Sequence, residues 1–317
     1  MASPARTVVA DDRAADSHDP FAIPRALARG GAPWWRWAHF HRWLADTSAA
    51  VQQGRLSVED VHGFFRELGP RYLTGTLQGR SLLKPRGYNG DFEVIDDIYD
   101  QRVSAEPDLV GWDQAFQMTA ACHAVRNRPA VFAAVADAAE QRLGRPLRIA
   151  SVGCGPARDV APWLRERAPE ETRVCLVDMD GDALARAVRV LQPTAVTVSV
   201  QHTSLLRLRL HQEQDVIWAA GLFDYFSDRL FVSALRRLLP LLAPGGALVI
   251  GNFAPTNPSR VYMDLACGWP LIYRSADDLL RLGAEALAAT PTQRPAQLRV
   301  GQEPIGVNLF LEIQISE

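Results

Sequence analysis

Residues Arg148–Val160 read RIASVGCGPARDV, and residues Val174–Leu184 read VCLVDMDGDAL. An apolar strand ends at a tight turn, Gly153–Pro156, from which the chain enters a helix. A second apolar strand ends at Asp178. Glycines in such a turn let the backbone approach a ligand closely, and an acidic residue at the tip of the second strand can accept hydrogen bonds from both ribose hydroxyls. The pair therefore predicts the nucleoside-binding half of an α/β fold.

The residue at the third glycine position of the fingerprint limits the classes of ligand that the turn could bind. A dinucleotide fingerprint G-x-G-x-x-G requires glycine at position 158, where this chain has Arg158. The substitution argues against a pyrophosphate and favours S-adenosylmethionine (SAM). The residues predicted to contact this cofactor around the two strand tips are Gly153, Cys154, Gly155 and Asp178, with Met179 against the adenine.

The segments that follow extend the same fold. A strand opens at Asp215 and ends at Gly221–Tyr225, and an amphipathic helix comes after it. Residues 242–246 predict a turn before the apolar strand Ala247–Ile250. Residues 297–300 and 308–315 predict an antiparallel pair at the end of the chain. This series resembles class I SAM-dependent methyltransferases, and it implies a Rossmann-like parallel sheet with an antiparallel C-terminal hairpin and Gly221 among the cofactor contacts.

The chain divides into three predicted regions: a disordered tail over 1–19, a helical cap and substrate-binding region over 20–145, and a SAM-binding domain over 146–317. Within the cap, Ser57 and Asp60 are typical of a helix start. One helix is predicted to carry Phe116, Met118, Ala121 and His123, and Pro129 is predicted to open another that runs to Gly144. Core packing of the cap is predicted for the aromatic residues Trp34, Trp35, Trp37, Phe40 and Trp43.

Composition limits the classes of partner. The 317 residues are 48% hydrophobic and 22% charged, with a formal net charge of −2, which gives no reason to expect nucleic-acid binding. The four cysteines have neither metal-ligand nor redox spacing, so no metal site is predicted. No apolar run has the length of a membrane span or a signal peptide. The expectation is a cytoplasmic protein that acts on a small molecule, and its oligomeric state stays open.

Five further motifs give a narrower resemblance: KPRGYNGDFE (84–93), GLFDYFSD (221–228), GNFAPTNPSR (251–260), WPLIYRS (269–275) and EPIGVNLFLEI (303–313). Together they resemble the methyltransferases of extracellular-factor biosynthesis, which form 3-hydroxypalmitic acid methyl ester. The same family includes azetidine-2-carboxylate synthases, which cyclise SAM instead of transferring its methyl group. The resemblance implies O-methylation of a carboxylate on a hydroxy fatty acid or natural-product intermediate, and leaves SAM cyclisation as the alternative.

The candidate site residues lie on these motifs. Asp224, Tyr225 and Tyr88 are predicted to act near the sulfonium and the acceptor. Arg86 or Tyr88 is predicted to hold the methionine carboxylate. Asn252, Tyr262, Tyr273 and Arg274 are predicted to line the acceptor pocket, with the Arg274 guanidinium gripping an anionic acceptor through two bonds.

The two reactions make different demands on these residues. Methyl transfer from a sulfonium is an in-line displacement, so the protein mainly supplies positioning and a dry site. A carboxylate acceptor is already ionised at neutral pH and needs no base. In cyclisation the nucleophile is the α-amino group of SAM, which must first lose a proton. The same residues serve both readings.

Overall fold

A computed structural model describes residues 19–30, 36–192, 194–210, 212–290 and 294–317. Most of the predicted N-terminal tail, together with Trp34 and Trp35, lies outside these described residues. The described part of the chain forms α-helices and strands in the following order: α1 (Ala22–Gly30), α2 (Trp37–Gln52), α3 (Val58–Glu67), α4 (Pro70–Gly75), α5 (Leu77–Leu83), α6 (Phe92–Tyr99), α7 (Val110–Gln117), α8 (Ala120–Leu143), β1 (Arg148–Val152), α9 (Ala161–Glu166), β2 (Arg173–Asp178), α10 (Gly181–Leu191), β3 (Thr197–His202), β4 (Gln214–Ala219), α11 (Asp228–Leu238), β5 (Leu242–Phe253), α12 (Ala276–Ala288), β6 (Ala296–Gln302) and β7 (Asn308–Ile315).

The seven strands form one sheet in the order β3-β2-β1-β4-β5-β7-β6. Strands β1 to β5 pair in parallel, and β7 lies antiparallel between β5 and β6. The strand order reverses between β1 and β4, and ligands of such sheets bind at the carboxyl ends of the strands beside this switch point. The predicted fold class is confirmed, including the C-terminal antiparallel pair.

Helices cover both faces of the sheet. On one face, α8, α9 and α10 bury an apolar cluster that includes Phe132, Trp163 and Trp218. On the other, α11 and α12 bury Phe231 and Leu282 with their neighbours. The central strands are apolar on both sides because each face packs on helices.

A third cluster joins the N-terminal helices to the chain after β5. Phe40 and Trp43 of α2 are buried beside Trp112 of α7, and Tyr262 reaches them from beyond β5. Core packing is thus confirmed for Phe40 and Trp43. The predicted helix start at Ser57 is also confirmed, because Ser57 and Asp60 form a reciprocal capping box at the start of α3.

Helix α8 differs from its predicted boundaries. The predicted helix through Phe116 and His123 is two helices, separated where Thr119 caps α8 by accepting a hydrogen bond from the Cys122 N–H. Pro129 lies inside α8 and does not begin a helix. A proline there cannot donate to the Val125 carbonyl four residues earlier. The Tyr99 hydroxyl lies 2.9 Å from that carbonyl and also contacts the Asp159 carboxylate, so its one proton is shared between two acceptors. A contact distant in sequence thus partly replaces the missing helical bond.

The predicted turn at 242–246 lies within β5. Leu242 pairs with Gln214, and the ladder resumes at Ala247 opposite Val216, so the register shifts between the two pairs. Gly245, with φ of 75°, provides the left-handed residue at this irregularity.

Asp215, near the start of β4, connects this strand to the start of β1, at the end of the sheet opposite the glycine turn. Asp215 is fully buried, and its carboxylate accepts hydrogen bonds from Arg145 Nη2 at 2.7 Å and from the Arg148 backbone N–H at 2.8 Å. Burial alone would raise the pKa of Asp215, but the hydrogen bonds from the two arginines bring it below its usual 3.8.

We expect Asp215→Asn to lower the free energy of unfolding by about 3 kcal/mol, because it removes one partner of a buried ion pair. The depressed pKa gives a second signature. The contribution of Asp215 to stability is complete above pH 3.8 and is lost as the pH falls through its folded-state pKa, so the difference between wild type and variant should shrink in acid. Denaturant unfolding at several pH values measures both effects.

Asp108→Asn is the control for this measurement. This variant breaks the ion pair between Asp108 and Arg71, whose side chains are 44% and 61% exposed. It should lower the free energy of unfolding much less than Asp215→Asn does. Equal losses in the two variants would contradict a special role for the buried carboxylate.

Candidate active site

The turn after β1 exposes its backbone to a cavity. Gly153 and Gly155 have φ of 62° and 49°. A Cβ on Gly153 would lie 3.2 Å from Leu222, so a side chain there would crowd the neighbouring β4 turn. The Cys154 N–H donates to the Val177 carbonyl at 3.1 Å, which ties the turn to β2. Glycine is therefore required at 153 for both its conformation and its space.

Asp178 at the tip of β2 holds this turn in place. One carboxylate oxygen accepts the Gly155 N–H at 2.8 Å, and the other accepts the Asp180 N–H at 3.0 Å. Burial raises the pKa of Asp178. Each oxygen keeps a further lone pair, so the carboxylate can still accept hydrogen bonds from a ribose. Met179, the next residue, is 72% exposed and also lines the cavity.

One cavity of about 590 Å³ connects the glycine turn with the N-terminal helices. Its volume is within the range of small-molecule sites. Of the predicted site residues, those that line it are Arg86, Tyr88, Gly153, Cys154, Gly155, Asp178, Met179, Gly221, Asp224, Tyr225 and Tyr262. Its far wall is largely apolar and includes Ile95, Ile98, Phe116, Val125, Met263 and Leu271. Neither histidine nor lysine is among the described residues that line it.

Asp224 and Tyr225 follow β4 and line this cavity. The buried Asp224 carboxylate accepts the Phe253 N–H at 2.6 Å, and desolvation raises its pKa to about 6. The Tyr225 hydroxyl accepts from Trp269 Nε1 at 2.8 Å and donates to the Asn89 carbonyl at 3.2 Å. Desolvation raises the pKa of Tyr225 too, although 37% of the residue is accessible, because that surface faces the cavity.

The loop between α5 and α6 closes the cavity over the tip of β2. The Tyr88 hydroxyl donates to Asp180 at 2.7 Å, and desolvation raises the pKa of Tyr88. Arg86 donates to Asp182 and to Glu93, each at 2.9 Å. The structure thus places Arg86 at the cavity but pairs it with protein carboxylates, which leaves it less free for a methionine carboxylate than the sequence predicts.

Three predicted acceptor residues do not line the cavity. The Arg274 side chain is only 2% exposed, and its guanidinium donates to the Phe223 and Phe226 carbonyls, Asn252 Oδ1 and Asp228. Asn252 is fully buried and donates to the Phe253 and Ile272 carbonyls. The Tyr273 ring packs under Arg260. The assignment of Arg274 to an anionic acceptor is corrected, because its donors are already occupied in holding the turn that carries Asp224.

Sequence reasoning missed Arg128 of α8. Its side chain lines the cavity and the residue is 5% exposed. The signal was present, because Arg128 falls on the apolar stripe of its helix, at helical spacing from Ala121, Val125 and Phe132. A charged residue on a buried helix face requires a partner or a function.

Residues 149–246, from β1 into β5, match the family model described as a methyltransferase domain. No curated protein sequence matches the chain significantly. This part of the chain is therefore similar to a methyltransferase domain, and it contains both the glycine turn and Asp178.

Solved structures resemble the fold at low sequence identity. A possible exported protein from Bordetella parapertussis is 16% identical with a TM-score of 0.60, over 84% of this chain and 99% of that one. The 1,6-didemethyltoxoflavin-N1-methyltransferase of Burkholderia thailandensis, with S-adenosylhomocysteine (SAH) bound, is 17% identical with a TM-score of 0.43, over 71% and 86%. Magnesium protoporphyrin IX methyltransferase of Synechocystis PCC 6803, with SAM bound, is 12% identical with a TM-score of 0.45, over 63% and 86%. Of these three, the first is similar enough to indicate a shared fold.

Within the described ranges, no helix is both long and apolar enough to cross a bilayer. The same residues contain no cluster of three or more His, Cys, Asp or Glu side chains that could hold a metal ion.

Two glycines of the closing loop give a matched test of the Trp269 contact. Gly90 and Gly87 have φ of 60° and 82°, so alanine strains the backbone at either position by about 1–2 kcal/mol. A Cβ on Gly90 would lie 2.3 Å from the Trp269 ring, whereas one on Gly87 would meet nothing within 4 Å. Gly90→Ala should displace Trp269 from Tyr225 and weaken SAH binding about tenfold, or by about 1.4 kcal/mol, measured by calorimetry.

Gly87→Ala is the control, and it should retain SAH affinity to within about threefold. Equal affinities for the two variants would show that the fit of Gly90 against Trp269 does not shape the site.

Proposed function

We propose that this protein transfers the methyl group of SAM to a carboxylate oxygen of a small, largely apolar acid, such as a hydroxy fatty acid or a natural-product intermediate. The observation that carries the proposal is the single cavity that joins Asp178 and the glycine turn to the apolar wall of the N-terminal helices. A cosubstrate at the turn and an apolar acceptor against that wall would share one space.

The groups available for proton transfer also support a carboxylate. The cavity is lined by no described histidine or lysine, and desolvation raises the pKa of both Tyr88 and Tyr225. A group with a raised pKa gives up its own proton less readily, so neither tyrosine is ready to serve as a base at neutral pH. An acceptor that is already ionised needs none. Positioning and exclusion of water then suffice for the displacement.

In this proposal five of the predicted residues keep one role each. Asp178 accepts the ribose hydroxyls and Met179 packs on the adenine. Asp224 and Tyr225 lie beside the sulfonium, and Tyr262 lines the acceptor space. The helical region 20–145 acts as the cap that excludes water from the strand tips.

A second function is favoured by one specific observation. Desolvation raises the pKa of the Asp224 carboxyl to about 6, a value suited to a general base near neutral pH. Such a base could take a proton from the α-amino group of SAM. The amine would then attack its own γ-carbon and release methylthioadenosine, leaving azetidine-2-carboxylate. This second proposal uses the same cavity with no acceptor.

Mass spectrometry of purified protein incubated with SAM alone separates the two functions. Carboxylate methylation predicts unchanged SAM, followed by SAH and a methyl ester once hydroxy fatty acids are supplied. Methylthioadenosine with azetidine-2-carboxylate, absent from a reaction without protein, would sink the methyltransferase proposal in favour of the cyclase.

The pH dependence of Asp224→Asn gives an independent check. For carboxylate methylation, we expect kcat to stay nearly constant between about pH 6 and 8 in wild type, and to change less than about tenfold in the variant, because no proton is abstracted. For cyclisation, kcat should rise as the pH passes about 6 and then level off, since only the ionised Asp224 is a base. The variant would then lose about a hundredfold or more in kcat.

A further inference from the structure

We infer that Arg128 is a carboxylate-binding subsite of the cavity. The inference deepens the proposed function, on which it rests for the nature of the ligands. Arg128 belongs to α8, and nothing in the sequence motifs assigns it a role.

The first support is the lack of a protein partner. Arg128 is 5% exposed, its Nε is buried without a hydrogen-bond acceptor, and no described residue forms an ion pair or hydrogen bond with its guanidinium. A buried charge that stays unpaired is costly, so proteins pair such groups. A ligand anion would supply the missing partner.

Asp224 and Asp159 line the same cavity, and the positive charge of Arg128 acts on Asp224 electrostatically, but each carboxylate has a different hydrogen-bond donor. Asp224 accepts the Phe253 N–H through one oxygen. Asp159 accepts Trp218 Nε1 at 3.0 Å through one oxygen and contacts the Tyr99 hydroxyl through the other. Neither carboxylate forms an ion pair with Arg128 among the described residues. The guanidinium is therefore positioned by packing, and its donors remain available to the cavity.

The second support is location. Arg128 Nη1 lies 3.1 Å from the point where a Cβ on Gly221 would sit, and its guanidinium carbon is 5.8 Å from the centre of the Phe253 ring. Gly221 follows β4 and Phe253 ends β5, so the guanidinium lies at the carboxyl ends of the central strands. Ligands of this fold bind at that edge. A larger residue at 221 would crowd the guanidinium.

Arginine chemistry points to a carboxylate. The guanidinium is planar, and its paired N–H groups match the two oxygens of a carboxylate. Two carboxylates can reach this cavity under the proposed function: that of the methionine part of SAM and that of the acceptor. The recognition chemistry is the same for both, and the test below distinguishes them.

The test compares wild type with Arg128→Met, which keeps an apolar stem without the charge. Calorimetry measures the Kd of SAH and of 5′-methylthioadenosine, which lacks the amino-acid carboxylate. It also measures the Kd of 3-hydroxypalmitic acid and of its methyl ester, each in the presence of SAH. The matched control is Arg142→Met on the same helix, whose guanidinium donates to the Gly245 carbonyl away from the cavity, and no Kd should change there.

Two results would support the subsite. A loss of about tenfold or more in SAH affinity, with methylthioadenosine unchanged, would identify the methionine carboxylate as the partner. Unchanged SAH affinity, with a similar loss for the acid and none for the ester, would identify the acceptor. All affinities within about twofold of wild type would overturn the inference.

Thermal unfolding of the ligand-free protein gives a further criterion. Removing an unpaired buried charge should leave Tm unchanged or raise it, whereas a clear fall would reveal a partner within the protein and overturn the inference. Arg128→Lys is a second variant, because it keeps the positive charge but loses the planar pair of N–H donors, and the same losses of affinity are expected.

The outcome is separable from that of the proposed function. Dependence of SAH binding on Arg128, with no acid methylated, would keep the subsite and reject carboxylate methylation. Methyl ester formation by Arg128→Met with wild-type Kd values would reject the subsite and keep the proposed reaction.

Discussion

Helix α8 is the element on which the site depends, because it belongs to two cores. Its first half packs in the aromatic cluster of the N-terminal helices, and its second half packs on the sheet through Phe132 and Trp163. The middle of the helix therefore lies where the N-terminal helices and the sheet meet. Pro129 interrupts the helical hydrogen bonds there, and Tyr99 of α6 partly repairs the interruption. Helix α8 therefore contacts the N-terminal helices, the sheet and the cavity along its length.

The opposite rim of the cavity is closed by weaker interactions. The loop between α5 and α6 reaches the tip of β2 through Tyr88 on Asp180 and Arg86 on Asp182, whose carboxylate is 74% exposed. Exposed ion pairs contribute little, about 1 kcal/mol or less. The pair between Arg86 and Asp182 therefore adds little to the stability of the loop.

The parts of the molecule that could be predicted from the sequence are those fixed by local chemistry. The glycine turn, the acidic tip of β2 and the apolar strands each require particular residues at close spacing, so their order along the chain predicts the sheet. The continuation of α8 through Pro129 could not be predicted from the local sequence. The hydroxyl that approaches the Val125 carbonyl, which Pro129 leaves without its helical donor, belongs to Tyr99 in a different helix. The pairing of side chains in the site is likewise decided by residues far apart in the chain.

Two arginines show why the candidate site was only partly predictable. Arg274 and Arg128 are both buried, and the sequence favoured Arg274 because it stands in the WPLIYRS motif, whereas Arg128 stands in none of the motifs. In the structure the Arg274 guanidinium donates to the Phe223 and Phe226 carbonyls and to Asn252. These hydrogen bonds compensate within the protein for the cost of burying its charge. Arg128 has no such acceptor among the described residues. Since a desolvated charge requires compensation, the guanidinium that lacks a hydrogen-bond acceptor in the protein is the one that we infer to be paired by a ligand.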